Sequence, residues 1–328
     1  MKLVTFRVGE KDHLGVVQGE WVVDIGRLIR WLAKRPSAEA ILPSPSSQPA
    51  VDTLLAAGSA PANMIDLLER GDAWRQALGE VLQSLSGGLS SGVTPPGLIK
   101  PLKKVRLRPP IPRPNKIVCL GRNYAAHAAE RGSDVPAQPL YFSKSNNTIC
   151  GPGDPIVLPP NSAQVDYEAE LALVIGKGGR RIPEEKAYEH VAGFLAADDV
   201  SARDMQAQDG QWFRGKSCDT FAPIGPWLVT RDEIPNPDNL RISLTLNGRI
   251  MQDSNTSFLI FKIPFLISYL SQSLTWETGD LMLTGTPAGI GAHQTPPVFL
   301  KPGDVVSVTI EGVGTLTNRV TGAWSRAA

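Results

Sequence analysis

Residues 165–178, VDYEAELALVIGKG, place acids at every second position, Asp166, Glu168 and Glu170, and then run into an unbroken apolar stretch. Alternate side chains of a strand share one face and the rise is about 3.3 Å per residue, so the three carboxyls would stand roughly 6.6 Å apart on one side. The other face, Val165, Tyr167, Ala169, Leu171, Leu173 and Ile175, is apolar, which sets the Leu171 end in a core. A solvated edge protected from aggregation by its charges is one reading. No Lys or Arg lies among these acids, however, and partly buried carboxylates this close repel one another unless a cation neutralises them. A hard divalent ion such as Mg2+ or Ca2+ takes oxygen ligands and keeps waters that a substrate displaces. A further acid is offered by GFLAADDVSARDMQ (193–206), where consecutive Asp198 and Asp199 end an apolar run. In a strand they point to opposite sides, so one of the two joins the cluster.

Acid–base chemistry is offered by GRNYAAHAAERG (121–132). Asn123 can cap a short alanine-rich helix and Gly132 can end it, which sets His127 and Glu130 three apart on one face. A carboxylate beside an imidazole orients it and raises its basicity, as a general base requires; an inert surface pair is the alternative. Lys216, in RGKSCDTFAPIGPW, is either a solvated loop charge or a partly desolvated cation that steadies a developing enolate or carboxylate. Cys218 nearby has no adjoining His and reads as core rather than as a nucleophile.

The elements that must present these residues are mostly strands. KIVCLG, PIVLPP, ELALVIG, GPWLVT, ISLTLNG, LMLTGTP and DVVSVTIEG alternate with Gly and Pro punctuation over connections too short for most crossover helices, so a mixed or antiparallel sheet is expected. Before them, residues 1–114 read as a small region: short strands, helices at 26–34 and 64–85, and a Pro- and Ser-rich linker ending near 114. The catalytic domain is then 115–328. With 33 basic and 32 acidic residues and no basic stripe, nucleic acid and anionic membrane are not expected partners. The most apolar window, 258–270, is broken by Lys262, Pro264 and Ser268, and the three cysteines, Cys119, Cys150 and Cys218, have no CxxC spacing. A cytoplasmic protein without disulfides is the expectation. LTGTPAGIG lacks the Lys-Ser/Thr of a phosphate-binding loop.

Five motifs in order, CLGRNYAAHAAE, VDYEAELALVIGK, DDVSARDMQ, RGKSCDTFAPIGPW and LTGTPAGIG, resemble the fumarylacetoacetate hydrolase family over residues 115–320. The resemblance implies a β-rich α+β fold with a mixed, rolled sheet and a small N-terminal domain, a homodimer, and enzymes that act on 2-keto and 2,4-diketo acids. It implies Mg2+, Mn2+ or Ca2+ held by Glu168, Glu170 and Asp199, with Asp166 behind them, and His127 with Glu130 as a catalytic dyad. Lys216 becomes the enolate-stabilising cation. Arg203, Gln206 and Thr286 fall at substrate-lining positions, the alternative for Arg203 being a salt bridge to Asp198 or Asp204. Arg122 and Tyr124 would meet the distal end of the substrate, and His293 and Trp212-Phe213 are candidate lids.

The reaction expected first is hydrolysis of a carbon–carbon bond in an acylpyruvate or fumarylpyruvate, of the kind found in aromatic catabolism. His127 would deprotonate the attacking water, and the metal with Lys216 would hold the departing pyruvate enolate. Metal-held enolates also serve decarboxylation of oxaloacetate-type acids, isomerisation of 2-hydroxy-diene-dioates, and chemistry of 3-deoxy-2-keto sugar acids. A non-catalytic metal-binding dimer is the remaining alternative.

Overall fold

The computed structural model describes residues 1–34, 47–86, 95–130 and 135–322. Its internal contacts divide it into two compact units, Met1–Arg108 and Pro109–Ala328. Gly132, expected to end the base helix, and most of the Ser- and Gly-rich stretches of the first unit lie outside the described residues.

In the first unit, strands β1 (Lys2–Val8), β2 (Lys11–Gln18) and β3 (Trp21–Asp24) form an antiparallel meander. Helix α1 (Ile25–Ala33) follows, capped by the Asp24 side chain, which accepts the Arg27 amide at 2.9 Å. Helix α2 (Gln48–Ala56) lies where no helix was expected, and α3 (Met64–Glu69) and α4 (Gly71–Ser86) replace the single helix expected over 64–85. The break falls at Gly71, whose φ of +81° is outside the helical range and costs a glycine little. Strands β4 (Ile99–Pro101) and β5 (Arg106–Arg108) complete the sheet in the order β4-β3-β2-β1-β5.

The second unit opens with β6 (Ile117–Gly121), helix α5 (Ala125–Glu130), β7 (Leu140–Ser143), β8 (Ile149–Cys150), β9 (Ile156–Val157) and β10 (Val165–Asp166). Next come β11 (Ala169–Ile175), β12 (Val191–Asp198), β13 (Ser201–Ala202), α6 (Arg203–Asp209), α7 (Phe213–Lys216) and β14 (Ala222–Thr230). The chain closes with β15 (Arg241–Leu246), β16 (Arg249–Asn255), α8 (Ile263–Ser271), β17 (Leu281–Leu283), β18 (Val305–Ile310) and β19 (Gly314–Thr321). One sheet runs β14-β12-β11-β17-β6-β7, with β17 and β6 parallel and the other pairs antiparallel. A second runs β16-β15-β18-β19-β9, its last pair parallel. This is the β-rich α+β class with mixed sheets.

Every residue of β11 and β12 is buried. Leu171, Leu173 and Ile175 pack with Phe194, Trp276 and Ile242 in one apolar core, so the strands that begin or end in acids are anchored at their other ends. The single line of three acids does not form. Asp166 belongs to β10, which pairs with β13, while Tyr167 and Glu168 bridge to β11 outside any ladder. The Glu168 amide instead donates to Asp198 Oδ1 at 2.8 Å, and the Asp199 amide donates to the Glu168 carbonyl at 2.9 Å. Among the described residues no helix is long and apolar enough to cross a membrane.

Candidate active site

The break between β10 and β11 turns Glu168 and Glu170 toward the end of β12, where they meet Asp199. Oxygens of the three lie within 4.8 Å of one another, and all three residues are buried. Asp198, its neighbour, faces away and holds the Glu168 amide, which resolves which of the two acids joins the cluster. The neutralising cations come from far along the chain. Lys216, at the end of α7, donates to Glu168 Oε2 at 2.8 Å and to Asp199 Oδ2 at 2.7 Å. Lys144, just past β7, donates to Asp199 Oδ1 at 2.5 Å and to the Val200 carbonyl at 3.0 Å. Arg203 donates to Glu168 Oε1 at 2.6 Å and to Asp166 Oδ2 at 2.9 Å, rather than to Asp198 or Asp204 as sequence alone suggested.

These pairings split the acids electrostatically. Burial opposes the charge of Glu168, but Lys216 and Arg203 overcome it and hold its carboxyl well below the usual range. Glu170 goes the other way: burial and then the charges of Asp199 and Glu168 push it well above. Asp198 is also pushed up, to about 8, by burial, with the Glu168 amide opposing. Glu170 accepts the Gly285 amide at 2.7 Å on Oε2, while its buried Oε1 has no hydrogen-bond partner among the described residues. Three buried carboxylates with one orphaned oxygen suit a hard divalent cation of the Mg2+, Mn2+ or Ca2+ type, which would supply the charge that Glu170 lacks.

LTGTPAGIG now has a physical account. Three of its glycines give their amides to acids: Gly285 to Glu170, Gly289 to Glu130 at 3.0 Å, and Gly291 to Asp166 at 2.7 Å. The loop must come close to do so. A Cβ on Gly289 would fall 2.2 Å from the Met251 carbonyl oxygen, and one on Gly291 would fall 1.9 Å from that of Val298. The loop cradles the protein's own carboxylates instead of a phosphate.

One pocket gathers Arg122, His127, Glu168, Arg203, Gln206, Lys216 and Thr286, with Phe142 and Trp212 as apolar walls. Lys216 Nζ lies 5.0 Å from the centre of the Phe142 ring, which meets Trp212 edge-on. Phe213 is exposed, so only Trp212 of that pair lines the pocket. Thr286 is held by Gln252, whose amide donates to its hydroxyl at 2.9 Å. Tyr124 is buried outside the lining, bridged to Leu259, and burial followed by the Glu170 charge raises its phenol. Asn123 does not cap α5: its side chain bonds Thr284 and Phe261 and ties the helix start to the glycine loop. His127 is buried, with Nδ1 3.6 Å from Glu130 Oε2, an ion-pair distance rather than a hydrogen bond. Cys218 is half-buried and burial raises its thiol, in keeping with a packing role.

Lys144 is the site residue that sequence reading passes over. In LYFSKSNNT it looks like any lysine at the end of a short strand, and only the pairing of β6 with β7 carries it inward.

A β-rich scaffold that presents three buried carboxylates beside an imidazole and two lysines has the donors to hold a divalent cation next to an acid–base group. The chain belongs to the fumarylacetoacetate hydrolase family: residues 116–321 match its fumarylacetoacetate (FAA) hydrolase C-terminal domain. It is 46% identical over 261 residues to the mitochondrial oxaloacetate tautomerase Fahd2a of Rattus norvegicus, covering 79% of this chain and 80% of that one. It is 42% identical over 267 residues to the oxaloacetate tautomerase YisK of Bacillus subtilis, covering 79% and 87%. Among solved structures, it resembles a Sphingobium maleylpyruvate hydrolase in complex with manganese(II) and pyruvate, at 30% identity and a TM-score of 0.70 over 98% of this chain and all of that one. It also resembles a 2-hydroxyhepta-2,4-diene-1,7-dioate isomerase of Mycobacterium marinum, at 31% identity and a TM-score of 0.69, over 99% of this chain and all of that one.

Proposed function

We propose that this protein is a metal-dependent enzyme that interconverts the enol and keto forms of an oxaloacetate-like 2-keto acid. The observation that carries the reading is the similarity, across about four-fifths of both chains, to oxaloacetate tautomerases. Hydrolysis, placed first from the sequence, becomes the second reading. Held by Glu168, Glu170 and Asp199, a divalent cation would supply Lewis acidity to the 2-oxygen and 1-carboxylate of the substrate.

The chain's own groups do the rest. A keto–enol shift moves one proton off carbon 3 and one onto the 2-oxygen. His127, on the pocket wall, is the group that takes the proton from carbon 3 and, as the imidazolium, delivers it to the 2-oxygen, the same transfer running in reverse on ketonisation. Glu130 steadies the imidazolium that forms. The Lys216 ammonium, kept charged by Asp199 and Glu168 against burial, stabilises the enolate oxygen. Arg122 and Gln206 are the pocket groups suited to the substrate's carboxylates, and Thr286 to a hydroxyl or carboxylate oxygen. No water enters this scheme. The likeness to the maleylpyruvate hydrolase favours the second reading, in which His127 activates water for cleavage of an acylpyruvate.

The test follows loss of enol-oxaloacetate absorbance with Mg2+ or Mn2+, with EDTA, and with His127→Ala, while pyruvate is assayed in parallel for oxaloacetate and for an acylpyruvate panel. The reading expects metal-dependent, His127-dependent ketonisation without stoichiometric pyruvate. Pyruvate from acylpyruvates and no ketonisation would replace it with hydrolysis, and pyruvate from oxaloacetate would replace it with decarboxylation. The reading also takes a homodimer as the assembly, which light scattering checks.

A further inference from the structure

Glu130 faces two imidazoles. Its Oε2 lies 3.6 Å from His127 Nδ1 and 3.7 Å from His293 Nδ1, and the two rings stack with centroids 5.9 Å apart. Both separations are too long for hydrogen bonds. They are close to the edge of a coordination tetrahedron, about 3.4 Å for metal–nitrogen bonds of about 2.0–2.1 Å. One donor atom from each of the three lies within 4.8 Å of the others, and His293 Nδ1 is buried with no hydrogen-bond partner among the described residues.

We propose that His127, Glu130 and His293 form a second cation site, separate from the three carboxylates, that takes a borderline transition ion such as Zn2+ or Co2+ and thereby switches the pocket off. Two nitrogens and one carboxylate oxygen leave a fourth position for water, the donor set of an open zinc centre. The oxygen-only set of Glu168, Glu170 and Asp199 prefers Mg2+, Mn2+ or Ca2+, so the two sites sort ions by donor type. The new site is also braced. The Gly289 amide bonds both oxygens of Glu130, at 3.0 and 3.2 Å, and fixes how the carboxylate presents itself. His293 ends a turn whose Gly291 and Ala292 amides are held by Asp166 at 2.7 and 3.1 Å. Ligation through Nδ1 would leave the His127 ring carrying its remaining proton on the other nitrogen, unable to accept one. That inhibitory consequence rests on the proton-transfer role proposed above; the binding does not.

Co2+ titration of the intact protein tests it, because cobalt in a low-coordinate imidazole site absorbs visible light strongly and in an octahedral oxygen site only weakly. Two equivalents should bind to the wild type, one of them giving the strong band, and Zn2+ should displace that one. His293→Asn and Glu130→Gln should each lose the strong band and keep one weakly absorbing Co2+, which also shows that they fold. Glu170→Gln should keep the strong band. A wild type that binds a single equivalent, or a strong band that survives in both His293→Asn and Glu130→Gln, would overturn the site. Strong-band binding in a protein whose ketonisation is unaffected by Zn2+ would overturn the switch, and absence of ketonisation altogether would bear on the proposed reaction alone.

Discussion

Lys144 and Lys216 grip Asp199 from its two sides, the first at Oδ1 and the second at Oδ2, although 72 positions separate them in the chain (216 − 144). Both ammonium groups and the carboxylate are buried, so this is a cluster whose charges answer one another in a low-dielectric space where water cannot.

Lys144→Met should therefore destabilise the metal-depleted protein by about 3 kcal/mol, since it leaves a buried carboxylate short of a partner. Saturating Mg2+ should recover part of that loss, because the added ion replaces the missing charge. Chemical denaturation with EDTA and with Mg2+ reads both effects, and an equal loss in the two conditions would show that Lys144 acts apart from the cation set.

Glu170→Gln should act in the opposite sense on stability. The substitution removes a charge that burial and its neighbours disfavour, and the amide oxygen can still accept from Gly285. Unfolding free energy without metal should hold or rise, while Mg2+ affinity measured by calorimetry should fall by about 100-fold or more, since losing even an outer partner costs about 10–100-fold.

Gly291→Ala tests the close approach of the loop. The new Cβ would meet the Val298 carbonyl oxygen at 1.9 Å and Asp166 Oδ1 at 2.6 Å, and the first of these is backbone. A loss on the order of 3 kcal/mol in unfolding free energy is expected, together with reduced turnover.

Asp204 supplies a pH signature away from the carboxylate cluster. Burial raises its carboxyl, but hydrogen bonds from the Ser162 hydroxyl at 2.6 Å and the Ala163 amide at 2.9 Å outweigh it, and the net shift is downward. A depressed folded pKa contributes stability above the unfolded value and loses it as pH falls through the folded one. Asp204→Asn should lower stability near neutral pH, by less than about 1 kcal/mol because solvent screens this largely exposed carboxylate. The gap from wild type should close as the pH is lowered below about 4.

The sequence made the carboxylates legible because alternation and an apolar continuation are local signals. Glu168 and Glu170 stand with Asp166 in the alternating run that marks them, the resemblance separates them from Asp166, and the opposed directions of Asp198 and Asp199 leave one to join them. The partners of these acids are not local. Arg203 reaches past Asp204, its neighbour in the chain, to Asp166 and Glu168, and nothing around Lys144 marks it as buried. Asn123 has the residue type of a helix cap but spends its side chain on Thr284 and Phe261, because α5 starts against the glycine loop. The interruption after Asp166 was likewise hidden, since a two-residue strand and a longer one read as one alternating run.

The glycine loop holds its three acids through main-chain amides, and this makes it a spacer. Glu170 belongs to the cation-holding wall and Glu130 to the imidazole wall, and Gly285 and Gly289 grip them four positions apart. The gap between those walls is thus set by a count of residues rather than by any side chain of the loop. The half-buried Ala288 side chain makes none of these bonds, whereas one residue inserted between Gly285 and Gly289 would widen the pocket and alter the length of acid it admits.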